Sequence, residues 1–153
     1  TTGRALNLSA KEAVDLRHAG LLHDLGRSGV PAGAWNKTAP LTDDEWERMK
    51  RHPSLSELIL ARSNSLGHLG TLAGLHHERL DGSGYRGMSR AALPVAAQIL
   101  AVADTYQTKL ERRPYREAIY ADGAAQQADH RAAYCDANRA RWWENAVGVH
   151  ADC

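Results

Sequence analysis

The stretch VAAQILAVADTYQTKL carries one carboxylate, Asp104, on a helical face otherwise made of Ala97, Leu100 and Ala101. Apolar residues at this spacing mark a helix that buries one side. An unpaired carboxylate on that side would cost several kcal/mol. Whatever fold this chain adopts must therefore bring a cation, or a set of donors, to Asp104.

The rest of the chain also reads as helix. Ser9-Ala10-Lys11-Glu12 is a capping box, in which the serine oxygen and the glutamate each satisfy an amide at a helix start. The helix it opens carries Ala13, Leu16, Gly20 and His23 at helical spacing, so His23 ends an inward-facing stripe. Gly26 and Gly29-Val30-Pro31 break that helix. Thr42-Asp43-Asp44-Glu45 repeats the capping signal, and His52-Pro53 marks a further boundary, because a residue before proline avoids the helical region. The helix that follows carries Leu55, Leu58 and Ile59. Residues 65–77 are predicted as another helix, with Leu66, Leu69, Leu72 and Ala73 as its apolar stripe and His76 one turn beyond. Residues 81–87 are loop by composition. No alternating strand pattern occurs, so the expected fold class is all-α.

Composition excludes several roles. A net charge of +1 offers no electrostatic case for a nucleic-acid polymer or an anionic membrane. The longest largely apolar run, residues 94–103, falls far short of the ~20 residues that cross a bilayer. Cys135 and Cys153 make neither a metal spacing nor a disulfide framework, which suits a reducing, cytoplasmic setting. Residues 121–153 contain no Leu, Ile, Met or Phe. They are expected to form a weakly packed tail, or a non-native end, beyond a single domain at residues 1–120.

Taken singly, the polar candidates are ordinary. A His-Asp pair such as His23-Asp24 often ends a helix, and a histidine before proline can cap one. Taken together, His23, Asp24, His52, His76, His77 and Asp104 fall in four helical segments, most of them at the inward end of an apolar stripe. Helices bundled with these stripes inward would gather the six. Imidazole and carboxylate without thiolate suit iron, manganese or similar ions and argue against structural zinc. One aspartate has two oxygens with which to bridge two metals, and such a pair clamps a phosphoryl displacement and generates hydroxide at neutral pH.

The motifs LLHDLGRSGVP, His52-Pro53, HHERLDGSGYRG and AVADTYQTKLERRPYR, in this order and at these spacings, resemble an HD-GYP domain. This is the branch of the bacterial HD metal-dependent phosphohydrolases whose members hydrolyse cyclic di-GMP, and the resemblance covers roughly residues 5–118. It implies an HD-domain helical bundle around two divalent ions. Asp24 would bridge the ions, His52, His76 and His77 would complete one, and His23 and Asp104 would hold the other. Arg27 would contact the scissile phosphate, Gly84 and Tyr85 would face the nucleotide, and Arg113 and Arg116 would hold phosphate or guanine. His18, His68, His130 and His150 match no motif position.

The chain departs from the family pattern at two motif positions. Arg27 stands where the family usually has lysine, and Arg86 where its GYP motif has proline. The resemblance also places a helix with a further histidine ligand upstream of this segment. Residues 1–153 alone are therefore expected to hold one metal firmly, a second poorly, and to show little catalysis. A sensory or output domain would lie elsewhere in the parent protein. Two other functions compete with a phosphodiesterase. A degenerate module that binds nucleotide or protein without turnover accounts for the two departures, but gains little from six buried ligands. A mononucleotide hydrolase accounts for the ligands and leaves the glycine loop and RPYR unexplained.

Overall fold

A computed structural model describes residues 8–111. These residues are helical without a strand among them, as the periodicity predicts. Helix α1 (Ala10–Leu22) starts at the expected capping box: Ser9 Oγ accepts the Glu12 N–H, and the Glu12 carboxylate accepts the Ser9 N–H at 2.8 Å. It ends at His23. Asp24 then begins a 3-10 turn, Leu25–Gly29, and Pro31 leads into the one-turn helix α2 (Ala32–Trp35). Helix α3 (Asp43–Met49) has the second capping box, built from Thr42 and Glu45. Helix α4 spans His52–Leu60 with Pro53 in its first turn. His52 is itself the first helical residue and Arg51 before it is already in the helical region, so the boundary lies one residue earlier than the proline suggests.

The predicted helix at 65–77 is not continuous. A 3-10 turn, Gly67–Leu69, runs into the one-turn helix α5 (Gly70–Ala73). Tight turns then carry the chain through His76 and His77, with Leu75 N–H bonded to Leu72 C=O and Glu78 N–H to Leu75 C=O. Close packing against α4 explains the break. A Cβ at Gly70 would lie 3.1 Å from the Glu57 carbonyl, and one at Gly74 only 2.9 Å from Glu57 Oε2. After a last 3-10 turn, Arg90–Ala92, helix α6 (Val95–Leu110) forms as expected, with Ala97, Leu100 and Ala101 buried.

Helices α1 and α6 pack together, with Gly20 against Leu100, while α4 packs on both α5 and the Leu25–Gly29 turn. Ala19, Leu60, Leu69 and Ala73 are buried, and Leu75, Leu93 and Ala97 form a cluster under Leu80 and Met88. The inward face of α4 is not the expected one. Leu58 is 62% exposed and Ile59 43%, whereas Pro53, Ser56 and Leu60 are buried. Ser56 takes the inward place because its hydroxyl accepts the Gly26 N–H at 2.8 Å and donates to the His23 carbonyl at 2.5 Å. Leu66 is likewise exposed. Among the described residues no helix is long and apolar enough to cross a membrane.

Candidate metal centre

Three histidines are oriented in the same way. His23 Nδ1 lies 2.7 Å from Gly20 O, His52 Nδ1 2.7 Å from Met49 O, and His76 Nδ1 2.7 Å from Ala73 O. A carbonyl only accepts, so each Nδ1 carries a proton, and a ring with no second proton turns an Nε2 lone pair inward. His52 Nε2 and His76 Nε2 then face one another 3.2 Å apart. Burial holds His52 below the usual imidazole range and pushes His76 down to about 4, so at neutral pH neither ring brings a second proton to the contact. Two facing lone pairs repel unless a cation lies between or beside them.

Asp24 supplies the negative charge. Its Oδ1 is 3.4 Å from His52 Nε2 and 3.7 Å from His76 Nε2, while Oδ2 is 3.8 Å from His23 Nε2. Two overlapping groups could hold an ion, His52, His76 and His77 in one and His23, Asp24 and His76 in the other, and the ligand atoms of each lie within 4.8 Å of one another. Asp104 joins through His23, with Oδ1 3.5 Å from His23 Nε2. Burial opposes a charge on His23, but the hydrogen bond to Asp104 and the charge on Asp24 outweigh it and raise its pKa. Burial likewise opposes the charge on Asp24, yet Arg27 and His23 hold its pKa below the ordinary carboxylate value. His77, partly buried and beside the other imidazoles, falls to about 2. Neutral His52, His76 and His77 beside an ionised Asp24 are the state in which a divalent ion is bound, and the nitrogen and oxygen donors fit such an ion.

A cavity of about 370 Å³ opens beside these groups, lined by Asp24, Arg27, Trp35, Trp46, His77 and Tyr85 among others. Tyr85 stacks on His77 with ring centroids 4.5 Å apart and meets the edge of Trp46 at 5.9 Å. The glycine loop that carries Tyr85 is held by a residue the sequence did not single out. Buried Glu78 accepts the Arg86 N–H at 2.8 Å and the Met88 N–H at 3.0 Å. Gly84 lies so close that a Cβ there would be 2.5 Å from Glu78 Cα. The Arg86 guanidinium ties the loop to α4 through Glu57 Oε2 at 2.7 Å and Ser54 Oγ at 3.3 Å. Trp35, also unanticipated, has no periodic or motif signal that would have found it. Arg113 and Arg116, like the tail from residue 121, lie outside the described residues.

The sequence profile of the HD domain family matches residues 1–138. The chain belongs to the HD domain family, in its HD-GYP-like branch. This HD domain is 43% identical over 122 residues to the cyclic di-GMP phosphodiesterase response regulator RpfG of Xanthomonas campestris, covering 78% of this chain and 32% of that protein. It is 40% identical over 114 residues to a cyclic di-GMP phosphodiesterase of Thermotoga maritima, covering 72% of this chain and 31% of the relative. A 3′3′-cGAMP-specific phosphodiesterase of Vibrio cholerae is 36% identical over 122 residues, covering 79% of this chain and 26% of that protein. The HD domain therefore spans about a third or less of the relatives it matches.

Proposed function

We propose that this HD domain is a metal-dependent phosphodiesterase that opens a cyclic dinucleotide, with cyclic di-GMP as the substrate. The observation that carries this reading is the facing of His52 Nε2 and His76 Nε2 at 3.2 Å beside Asp24 Oδ1, an arrangement suited to a cation. Relatives named as phosphodiesterases of cyclic di-GMP and 3′3′-cGAMP support the substrate class. Two divalent ions, iron or manganese, would be held by His23, Asp24, His52, His76, His77 and Asp104, with Asp24 between them. Once bound, such ions supply a nucleophilic water at neutral pH and neutralise phosphate charge.

The chain's own residues do the rest. Arg27 presents a guanidinium at the cavity wall, where it would stabilise charge on the phosphate oxygens as the ring opens. Tyr85, locked on His77, would fix one nucleotide beside the centre. Arg113 and Arg116 would hold phosphate or guanine. A cytoplasmic site of action fits an intracellular dinucleotide, and a sensory or output domain in the parent protein would regulate it.

The test is to incubate the metal-loaded full-length parent protein with cyclic di-GMP and with 3′3′-cGAMP and to separate the products. Metal-dependent appearance of the linear dinucleotide, abolished by Asp24→Ala, is the expected result. Tight metal and nucleotide binding without any product would instead assign the domain to signalling by binding alone.

A further inference from the structure

The guanidinium of Arg27 lies over the ring of Trp35, 4.2 Å from its centroid, while Nη1 donates to Asp24 Oδ2 at 3.0 Å. The same indole meets the ring of His52 edge-on at 5.3 Å. We propose that Trp35 is a positioning residue, whose ring face holds Arg27 in the orientation in which it meets the substrate phosphate. The proposal rests on the phosphodiesterase reading above.

Three observations carry it. Asp24 precedes, and Arg27 lies within, a 3-10 turn in which side chains three apart eclipse, so the turn itself aims the guanidinium at the carboxylate. Arg27 remains about one-third exposed, so the turn alone leaves the plane of its fork undetermined. The Trp35 face settles that plane, because a guanidinium stacks flat on an indole while a lysine ammonium presents a point charge on a flexible stem. In addition, Trp35 Nε1 is buried and has no hydrogen-bond partner, the one such side-chain atom among the described residues. The indole is thus placed by what its ring touches and not by its N–H. Arginine at position 27 and tryptophan at position 35 form one device, and restoring the family's lysine without changing Trp35 would weaken it.

A double-mutant cycle over Arg27→Lys and Trp35→Leu in the full-length parent protein tests this, read as the affinity of metal-loaded protein for inorganic phosphate by calorimetry and as kcat and KM for cyclic di-GMP. Arg27→Lys alone should lower phosphate affinity and kcat about 10–100-fold, the range expected when a positioned group is displaced by about an ångström. In the Trp35→Leu background the further loss from Arg27→Lys should be only a few-fold. Trp35→Phe keeps a ring face and should retain most of the function, with metal content unchanged in every variant. Losses that multiply independently would overturn the proposal, as would a Trp35→Leu protein that loses its metal, because the indole would then act through His52. A full-length wild-type protein that binds phosphate through the coupled pair yet hydrolyses nothing would sink the phosphodiesterase reading and leave the pair standing.

Discussion

His52 Nε2 and His76 Nε2 approach to 3.2 Å although the Nδ1 of each ring is already bonded to a backbone carbonyl, of Met49 and Ala73 respectively. The backbone thus holds two lone pairs in opposition, and the folded chain stores an affinity for a cation. A divalent ion at 100 times its dissociation constant stabilises the folded state by about 2.7 kcal/mol and should raise the melting temperature by roughly 5–10 °C. His52→Ala and His76→Ala should abolish that rise. Calorimetry with manganese, iron and a chelator control measures it, and an undiminished rise in both variants would move the centre elsewhere.

Gly26 decides whether His52 reaches the centre. A Cβ at this position would lie 2.0 Å from the His52 carbonyl and 2.5 Å from the Ser56 amide, both backbone atoms of α4. Gly26→Ala must push α4 away from the Leu25–Gly29 turn, costing roughly 1–3 kcal/mol or more as an overpacked contact. It should also weaken metal binding, because His52 moves with the helix while His76 does not. Denaturant unfolding and metal titration of the same variant check both halves; wild-type metal affinity in Gly26→Ala would disprove the link.

Replacing Arg86 by the proline its family carries should harm this chain. Proline has no N–H to give Glu78 and no guanidinium for Glu57, so two of the loop's attachments vanish together. The expected destabilisation is about 1–3 kcal/mol, most of it from the unsatisfied buried carboxylate, since a part-exposed ion pair adds at most about 1 kcal/mol. Arg86→Lys should lose far less. Chemical denaturation of the two variants side by side decides it, and a proline variant as stable as wild type would show that Glu78 does not anchor the loop.

Acid should loosen α3, the helix that carries Trp46 and ends at the carbonyl orienting His52. The Lys37 ammonium, with the Thr42 amide, pulls the Glu45 carboxyl down from 4.5 to about 2. The folded value lies below the unfolded one, so this stabilisation is complete above about pH 4.5 and is lost as pH falls towards 2. Melting temperatures of wild type and Glu45→Ala should therefore differ at pH 6 and converge near pH 2. A gap that stays constant across that range would mean Glu45 does not supply it.

The sequence alone determined the all-α class, because capping boxes at Ser9 and Thr42 and the apolar period of residues 95–110 are signals between near neighbours, which need no tertiary partner to be read. It also singled out His23, Asp24, His52, His76, His77 and Asp104, since polar groups ending apolar stripes converge whenever the stripes do. Contacts between distant segments were a different matter. Gly70 and Gly74 allow α4 to approach so closely that a predicted helix gives way to tight turns, which place His76 and His77 on one side. Ser56 displaces Leu58 and Ile59 from the interior because its hydroxyl answers Gly26 and His23, 30 or more residues away. Trp35 and Glu78 are ordinary residues in the string of letters, and only the tertiary structure sets one beneath a guanidinium and the other beneath a loop. Periodicity reports which residues can turn inward together; the steric fit and hydrogen bonding of segments far apart in the chain decide which of them do.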